Sequence, residues 1–189
     1  MNFLVVTGLS GAGKSMAANV LEDIGYFCID NIPAGLLPRL VDFALQGENQ
    51  LQRVAVVMDI RGLRSREAVE TALQALDDKK MEYDILFLDA SDAVIRRRYK
   101  ETRRIHPMAQ GGQLPIDEAI RREREILQPL RERAKYLIDT SQLSASQNRA
   151  RICSLFLGQD QCPMSLTILS FGFKYGLPQE ADIVLDVRC

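Results

Sequence analysis

The apolar positions of this chain alternate between two patterns. Short, nearly continuous runs rich in β-branched residues occupy 2–7, 26–30, 53–61, 83–89 and 136–140. Such runs have the character of strands buried on both faces of a parallel sheet. Between them, apolar residues recur at helical spacing. Ala17, Leu21 and Ile24 share a face that stops at Gly25, and Leu36, Leu37, Leu40, Val41 and Ala44 share one that stops at Gly47. Val69, Ala72, Leu73 and Leu76 mark a third helix, and Val94, Ile95 and Tyr99 a fourth. Ile116, Ile120, Leu127, Leu130 and Ala134 mark a long fifth, whose other face, Arg121, Arg122, Glu123, Arg124 and Glu125, reads most simply as solvated. Ser144 is placed to cap a last helix through Leu157. The alternation predicts an α/β fold of three layers, with a mainly parallel five-stranded sheet in the middle.

That unit is complete near Gly158. Residues 165–171 and 183–187 read as two further strands, a partial C-terminal pair separated by Gly172 to Pro178. Two strands alone are marginal, so they either extend the main sheet or begin a second domain. The expected division is a domain over residues 1–158, then a linker and the start of a C-terminal domain over 159–189.

The chemistry concentrates where the first strand meets the first helix. Gly8-Leu9-Ser10-Gly11-Ala12-Gly13-Lys14-Ser15 satisfies G-x-x-x-x-G-K-[ST] in the strand, loop, helix context that such a phosphate-binding loop requires. Gly8, Gly11 and Gly13 let the backbone approach an anion closely, and successive N–H groups form a nest at the positive end of the helix. Lys14 is expected to reach the β and γ phosphates of a nucleoside triphosphate, and the Ser15 hydroxyl to ligate Mg²⁺. A P-loop NTPase with a kinase-like fold follows as the specific form of the α/β class.

Three later strands end on acids, and ligands of open α/β sheets gather at those carboxyl ends. Asp30 and Asn31 either face a second substrate or simply form an Asx turn. Asp59 is the preferred Mg²⁺ partner of Ser15; Asp89 rivals it, but Asp89-Ala90-Ser91-Asp92 equally reads as the start of a helix capped by Ser91. Arg61 contacts a phosphate or pairs with a nearby acid.

A basic cluster follows: Arg96, Arg97, Arg98, Lys100, Arg103 and Arg104. Its accounts are a lid bringing arginines to the triphosphate, with Arg98, Arg103 and Arg104 as candidates, a patch for RNA or another acidic partner, and a solvated face paired with Glu118, Glu123 and Glu125. The Pro- and Gly-punctuated stretch 106–115 favours the lid, as a flexible cover. His106, the single histidine, reads as a packing or hydrogen-bonding residue rather than a base, since no positioned partner is evident.

Composition narrows the picture little. With 189 residues, 47% hydrophobic and 26% charged, the chain suits one packed domain, and a formal charge of -1 gives no global reason to expect nucleic-acid binding. Cys28, Cys153, Cys162 and Cys189 form no C-x-x-C, so a reduced, cytoplasmic protein is expected. The first residues read as a strand rather than a signal peptide, and no run is long enough to cross a bilayer.

Beyond the loop, several stretches resemble the RapZ/YvcJ family of P-loop nucleotide-binding proteins. They are Leu21 to Gly25 through Asp30-Asn31-Ile32-Pro33, Asp59-Ile60-Arg61, Phe87 to Ala90, Arg97-Arg98-Tyr99, Thr102-Arg103-Arg104-Ile105-His106-Pro107 and Ser170 to Gly176. The TRR-x-HP and SFGFK-x-G stretches together make the likeness specific. It implies bacterial origin, binding of ATP and GTP with slow hydrolysis, and a regulatory role. The family's ATP motif falls on Gly8 to Ser15, and its second nucleotide motif on Asp59, Ile60, Arg61 and Gly62, the last often Asn in the family. No N-K-x-D guanine-reading motif occurs. Family members continue into a C-terminal domain that binds small RNA and an amino-sugar phosphate, so adapter activity toward an RNase or small RNA is not expected intact here.

Three functions are therefore expected to compete. The first is a regulatory ATP/GTP-binding protein of the RNase-adapter type with weak Mg²⁺-dependent NTPase activity, in which Lys14 and Asp59 do the chemical work. The second is a small-molecule kinase like the nucleoside-monophosphate or shikimate kinases, with Asp30 orienting the acceptor hydroxyl. The third is a binding module in which nucleotide only sets conformation. No membrane partner is expected, and a homo-oligomer is compatible with each.

Overall fold

A computed structural model describes residues 2–46, 52–63, 65–79, 81–109, 114–157, 168–172, 176 and 183–186. Five strands, β1 (Asn2–Gly8), β2 (Phe27–Ile29), β3 (Arg53–Val57), β4 (Tyr83–Asp89) and β5 (Tyr136–Asp139), form one sheet in the order β2-β3-β1-β4-β5. Every pairing is parallel, with Val5 beside Val56 on one side and Ile85 on the other. The order places the first strand at the centre. It also reverses direction there, which opens a crevice at the carboxyl ends of β1, β3 and β4.

The helices are α1 (Lys14–Asp23), α2 (Leu37–Gln46), α3 (Arg66–Asp78), α4 (Asp92–Thr102), α5 (Ile116–Glu132) and α6 (Ala145–Phe156). α1 packs against α6, while α2, α3 and α5 pack side by side and α4 leans on α5. Central strands covered on both faces explain why β1 and β3 read as continuous apolar runs: Val5, Val6, Val54, Ala55 and Val56 are wholly buried. The helical stripes meet them, through Ala17 and Leu21 of α1, Val69 and Leu76 of α3, and Ile120 and Leu127 of α5. Fully burying each such aliphatic side chain is worth roughly 1.5–3 kcal/mol.

The element boundaries follow local chemistry. Ser65 and Ser144 accept from the backbone N–H groups of Ala68 and Gln147, and Gln147 returns a bond to the Ser144 amide, completing a capping box. Ser91 occupies the cap position of α4 as expected, without a side-chain bond to the helix. Two expectations need correction. The third strand stops at Val57 rather than Arg61, because Asp59 turns the chain through bonds to Arg61 and Gly62. Leu36 lies in a 3-10 turn before α2 and is exposed, so the buried stripe begins at Leu37.

Of the expected C-terminal strand pair, the described residues 168–172 and 183–186 adopt no strand, and the remainder lies outside the described residues. Cys153 is buried in the core, and the half-buried Cys28 thiol is pushed up to about 11 by burial. Cys162 and Cys189, with residues 110–113 of the expected cover, also lie outside the described residues. Among the described residues no helix is long and apolar enough to cross a membrane.

Candidate phosphate-binding loop

Gly8 ends β1 with its Cα beside Leu88 of β4, so the loop leaves the sheet at the crevice. Gly13, with φ 105, is the N-cap of α1, and Lys14 opens the helix. The first-turn amides of α1 have no acceptor within the helix and face outward with the positive end of its dipole. Leu9 and Ala12 are wholly buried, while Gly11 and Ser15 are exposed. The loop is therefore anchored by its apolar members and open at the members suited to phosphate and metal.

Its carbonyls are tied away from that opening. Arg98 of α4 donates Nη1 to the Gly11 carbonyl at 2.9 Å and to Thr140 Oγ1 at 3.0 Å, and Nη2 to the Thr140 carbonyl at 2.8 Å. Thr140, just beyond β5, lies 3.0 Å from the Ala12 carbonyl through its hydroxyl. Asn148 of α6 is buried beside Gly13, and its Oδ1 has no hydrogen-bond partner among the described residues. The amides of Leu9, Ser10 and Ala12 are themselves bonded within the protein, so an anion would meet the other amides of the loop and of the first turn of α1.

Lys14 is buried, its Nζ donating to the Gly8 carbonyl at 2.8 Å and the Leu9 carbonyl at 3.1 Å. Burial pulls its pKa down, opposed by the carboxylates of Glu123 and then Asp59. Asp59 itself is 8% exposed and receives the Arg61 backbone N–H at 2.9 Å and Arg61 Nη2 at 3.2 Å. Burial would raise the Asp59 pKa, but Lys14 and the Arg61 bonds outweigh it and hold the carboxyl below its ordinary range. Ile60 is buried, and Gly62 donates its amide to the Asp59 carbonyl while passing so close to the backbone at Ile32 that an added Cβ would lie 3.0 Å from the Ile32 carbonyl oxygen.

Asp89, the rival acid, is differently engaged. Arg124 and Arg131 of α5 hold its two oxygens at 2.9 and 3.3 Å, and it accepts the Ala90 amide at 2.8 Å. Those bonds fasten α5 to the end of β4. Asp30 is exposed beyond β2, next to Asn31 with φ 58, and its charge reaches both Lys14 and Arg61.

The arginine cluster divides. Arg96 pairs with Asp117, Arg97 with Glu101, and Arg98 with the loop. Arg103 is the C-cap of α4 in the left-handed conformation, and Arg104 is exposed beyond it. Glu118 and Glu125 pair with arginines of their own helix. Glu123, read from sequence as part of that solvated face, is instead 0% exposed and bonded to Ser10. The signal was present in its spacing: Ile120, Glu123, Leu127 and Leu130 lie on one helical stripe.

Comparison with known proteins places this architecture. A family model described as the RapZ-like N-terminal domain matches residues 1–160. The chain belongs to the RapZ-like family. The family's C-terminal domain model matches residues 164–189. A relative called a nucleotide-binding protein in Halothermothrix orenii is 47% identical over 192 residues, covering 100% of this chain and 66% of the relative. A protein of the same description in Agathobacter rectalis is 48% identical, with 100% of this chain spanning 64% of its length. This RapZ-like chain thus spans about two thirds or less of such relatives.

Solved structures share the fold at low identity. The shikimate kinase of Acinetobacter baumannii, in complex with shikimate, superposes with a TM-score of 0.54 at 19% identity, over 84% of this chain and 94% of that one. The YorR protein of Bacillus subtilis, in complex with phosphorylated GDP, gives 0.52 at 16% identity, over 81% and 94%. The RapZ-like chain therefore has the α/β fold of P-loop kinases, with an all-parallel five-stranded sheet.

Proposed function

We propose that this chain is the nucleotide-binding part of a regulatory protein that binds ATP or GTP with Mg²⁺ and hydrolyses it slowly. The observation that carries the reading is the clamped loop with Lys14 seated on its own carbonyls, poised to exchange them for phosphate oxygens. The names of its relatives, nucleotide-binding proteins, support it.

The residues suit a magnesium ion that keeps several waters and bonds the substrate's phosphates: one exposed hydroxyl, Ser15, and one carboxylate held ionised, Asp59. Bound there, Mg²⁺ supplies neutralisation of charge on the phosphate oxygens. Arginines bond both oxygens of each candidate acid, Arg61 those of Asp59 and Arg124 with Arg131 those of Asp89, so Asp59 is preferred because its charge acts on Lys14 of the loop. The loop amides and Lys14 bind and orient the triphosphate and stabilise the charge that develops as the bond from the γ-phosphorus to the bridging oxygen breaks. Water is the acceptor; its oxygen forms the new bond, and its proton leaves with inorganic phosphate in solution.

Equilibrium binding of Mg-ATP and Mg-GTP to the purified chain tests this. Saturable binding abolished in Lys14→Ala supports it; binding unchanged in that variant overturns it. A second reading, transfer to a small-molecule acceptor, rests on Asp30, exposed at the crevice within electrostatic reach of Arg61 and Lys14.

A further inference from the structure

We infer that Glu123 is a positioning residue for the phosphate-binding loop, oriented in turn by His106; the inference rests on the nucleotide-binding reading above. Glu123 Oε1 and Oε2 accept the Ser10 backbone N–H at 3.1 and 3.0 Å, and the Ser10 hydroxyl donates to Oε1 at 2.6 Å. His106 Nε2 lies 3.1 Å from Oε2. The Met108 amide donates to His106 Nδ1 at 3.3 Å, which assigns the ring proton to Nε2 and makes the histidine a donor to Glu123. Glu123, His106 and Ser10 are all at least nine-tenths buried.

Nothing about the packing of α5 calls for a carboxylate at this position. Ile120, Leu127 and Leu130 surround it on the stripe, and an apolar residue would avoid the desolvation that an acid incurs. What the acid adds is a fixed address for Ser10, the residue before the exposed Gly11. Tyr99 of α4 reinforces the same point. Its ring lies 5.2 Å from that of His106, and it covers Gly11 so closely that an added Cβ there would lie 3.2 Å from the ring edge.

The loop is thus held from both ends. Glu123 fixes Ser10 by donors on the loop, and Arg98 with Thr140 fixes the carbonyls of Gly11 and Ala12. Glu123 is also the leading favourable partner of the buried Lys14 charge, ahead of Asp59. Lys14 therefore has a counter-charge while it waits on the Gly8 and Leu9 carbonyls, and it can turn to phosphate without the loop changing shape. Pre-organisation of this kind raises affinity by removing the ordering cost of binding.

The test measures Mg-ATP affinity by calorimetry, steady-state phosphate release and thermal melting for wild type, Glu123→Ala, Glu123→Gln, His106→Ala and His106→Gln. Glutamine at 106 places an amide N–H near the position of Nε2 and restores the donor to Glu123. The expected results are affinity at least tenfold weaker with lower kcat in Glu123→Ala, an intermediate Glu123→Gln, and a His106→Ala defect largely reversed in His106→Gln. A residue that only supports the fold would lower the melting point while leaving affinity and kcat of the folded protein unchanged, and that outcome overturns the inference. Should Glu123→Ala not fold, the His106 pair decides: equal affinity and kcat in wild type, His106→Ala and His106→Gln overturn it. Wild type without saturable Mg-ATP binding overturns the functional reading along with it, whereas binding by wild type and equally by folded Glu123 variants overturns this inference alone.

Discussion

Gly8 shows how one residue sets the position of the whole loop. It adopts φ 138, and a Cβ there would lie 2.0 Å from the carbonyl oxygen of Leu88, on the neighbouring strand. Gly8→Ala must therefore separate β1 from β4 or displace the loop, and it is expected to destabilise the chain by about 3 kcal/mol or more, read from the urea midpoint. Asp59 makes a prediction of another kind. Its folded-state pKa lies below the ordinary 3.8, so its contribution to stability is fully present above that value and is lost as pH falls through the folded value. The melting temperature of wild type should then fall more steeply below about pH 4 than that of Asp59→Asn. Equal slopes would show that the Lys14 and Arg61 contacts do not favour the ionised form.

Among the elements, α4 and α5 are where the charged sequence conceals the function of particular side chains. A run of arginines reads as a lid or a patch, yet Arg98 is a brace: three donated bonds join the loop to the end of β5. Lysine cannot reproduce that planar fork. Arg98→Lys is expected to weaken Mg-ATP binding about tenfold, equivalent to ~1.4 kcal/mol, with melting little changed. Strands, helices and the loop were legible because hydrophobic period and glycine spacing are local properties. Val69, Ala72, Leu73 and Leu76 are buried as their spacing predicts, and Ser144 caps α6. Glu123 was hidden because its neighbours in sequence are charged, while its bond to Ser10 spans 113 positions. Residue type pointed to solvent, and helical spacing pointed to the core. The structure follows the spacing because Ser10 and His106 compensate the buried charge.

For the molecule as a whole, strand order brings two acids to the sides of the loop. The order β2-β3-β1-β4-β5 puts a strand ending near an acid on each side of β1, and sequence alone left Asp59 and Asp89 as alternatives. Asp59 shares electrostatics with Lys14, which is the ground for proposing it over Asp89, the acid that fastens α5 to the end of β4. A chain organised around a triphosphate should also gain global stability from it. At a concentration one hundred times Kd, Mg-ATP is expected to add about 2.7 kcal/mol to unfolding, visible as a raised Tm that is absent in Lys14→Ala.

The most direct test of the central claim is phosphate release from ATP and GTP with Mg²⁺, comparing wild type with Lys14→Ala in the absence and presence of small-molecule acceptors. The account expects slow release that needs no acceptor and disappears in the variant. Release that depends on one acceptor, or that persists unchanged in Lys14→Ala, would contradict it.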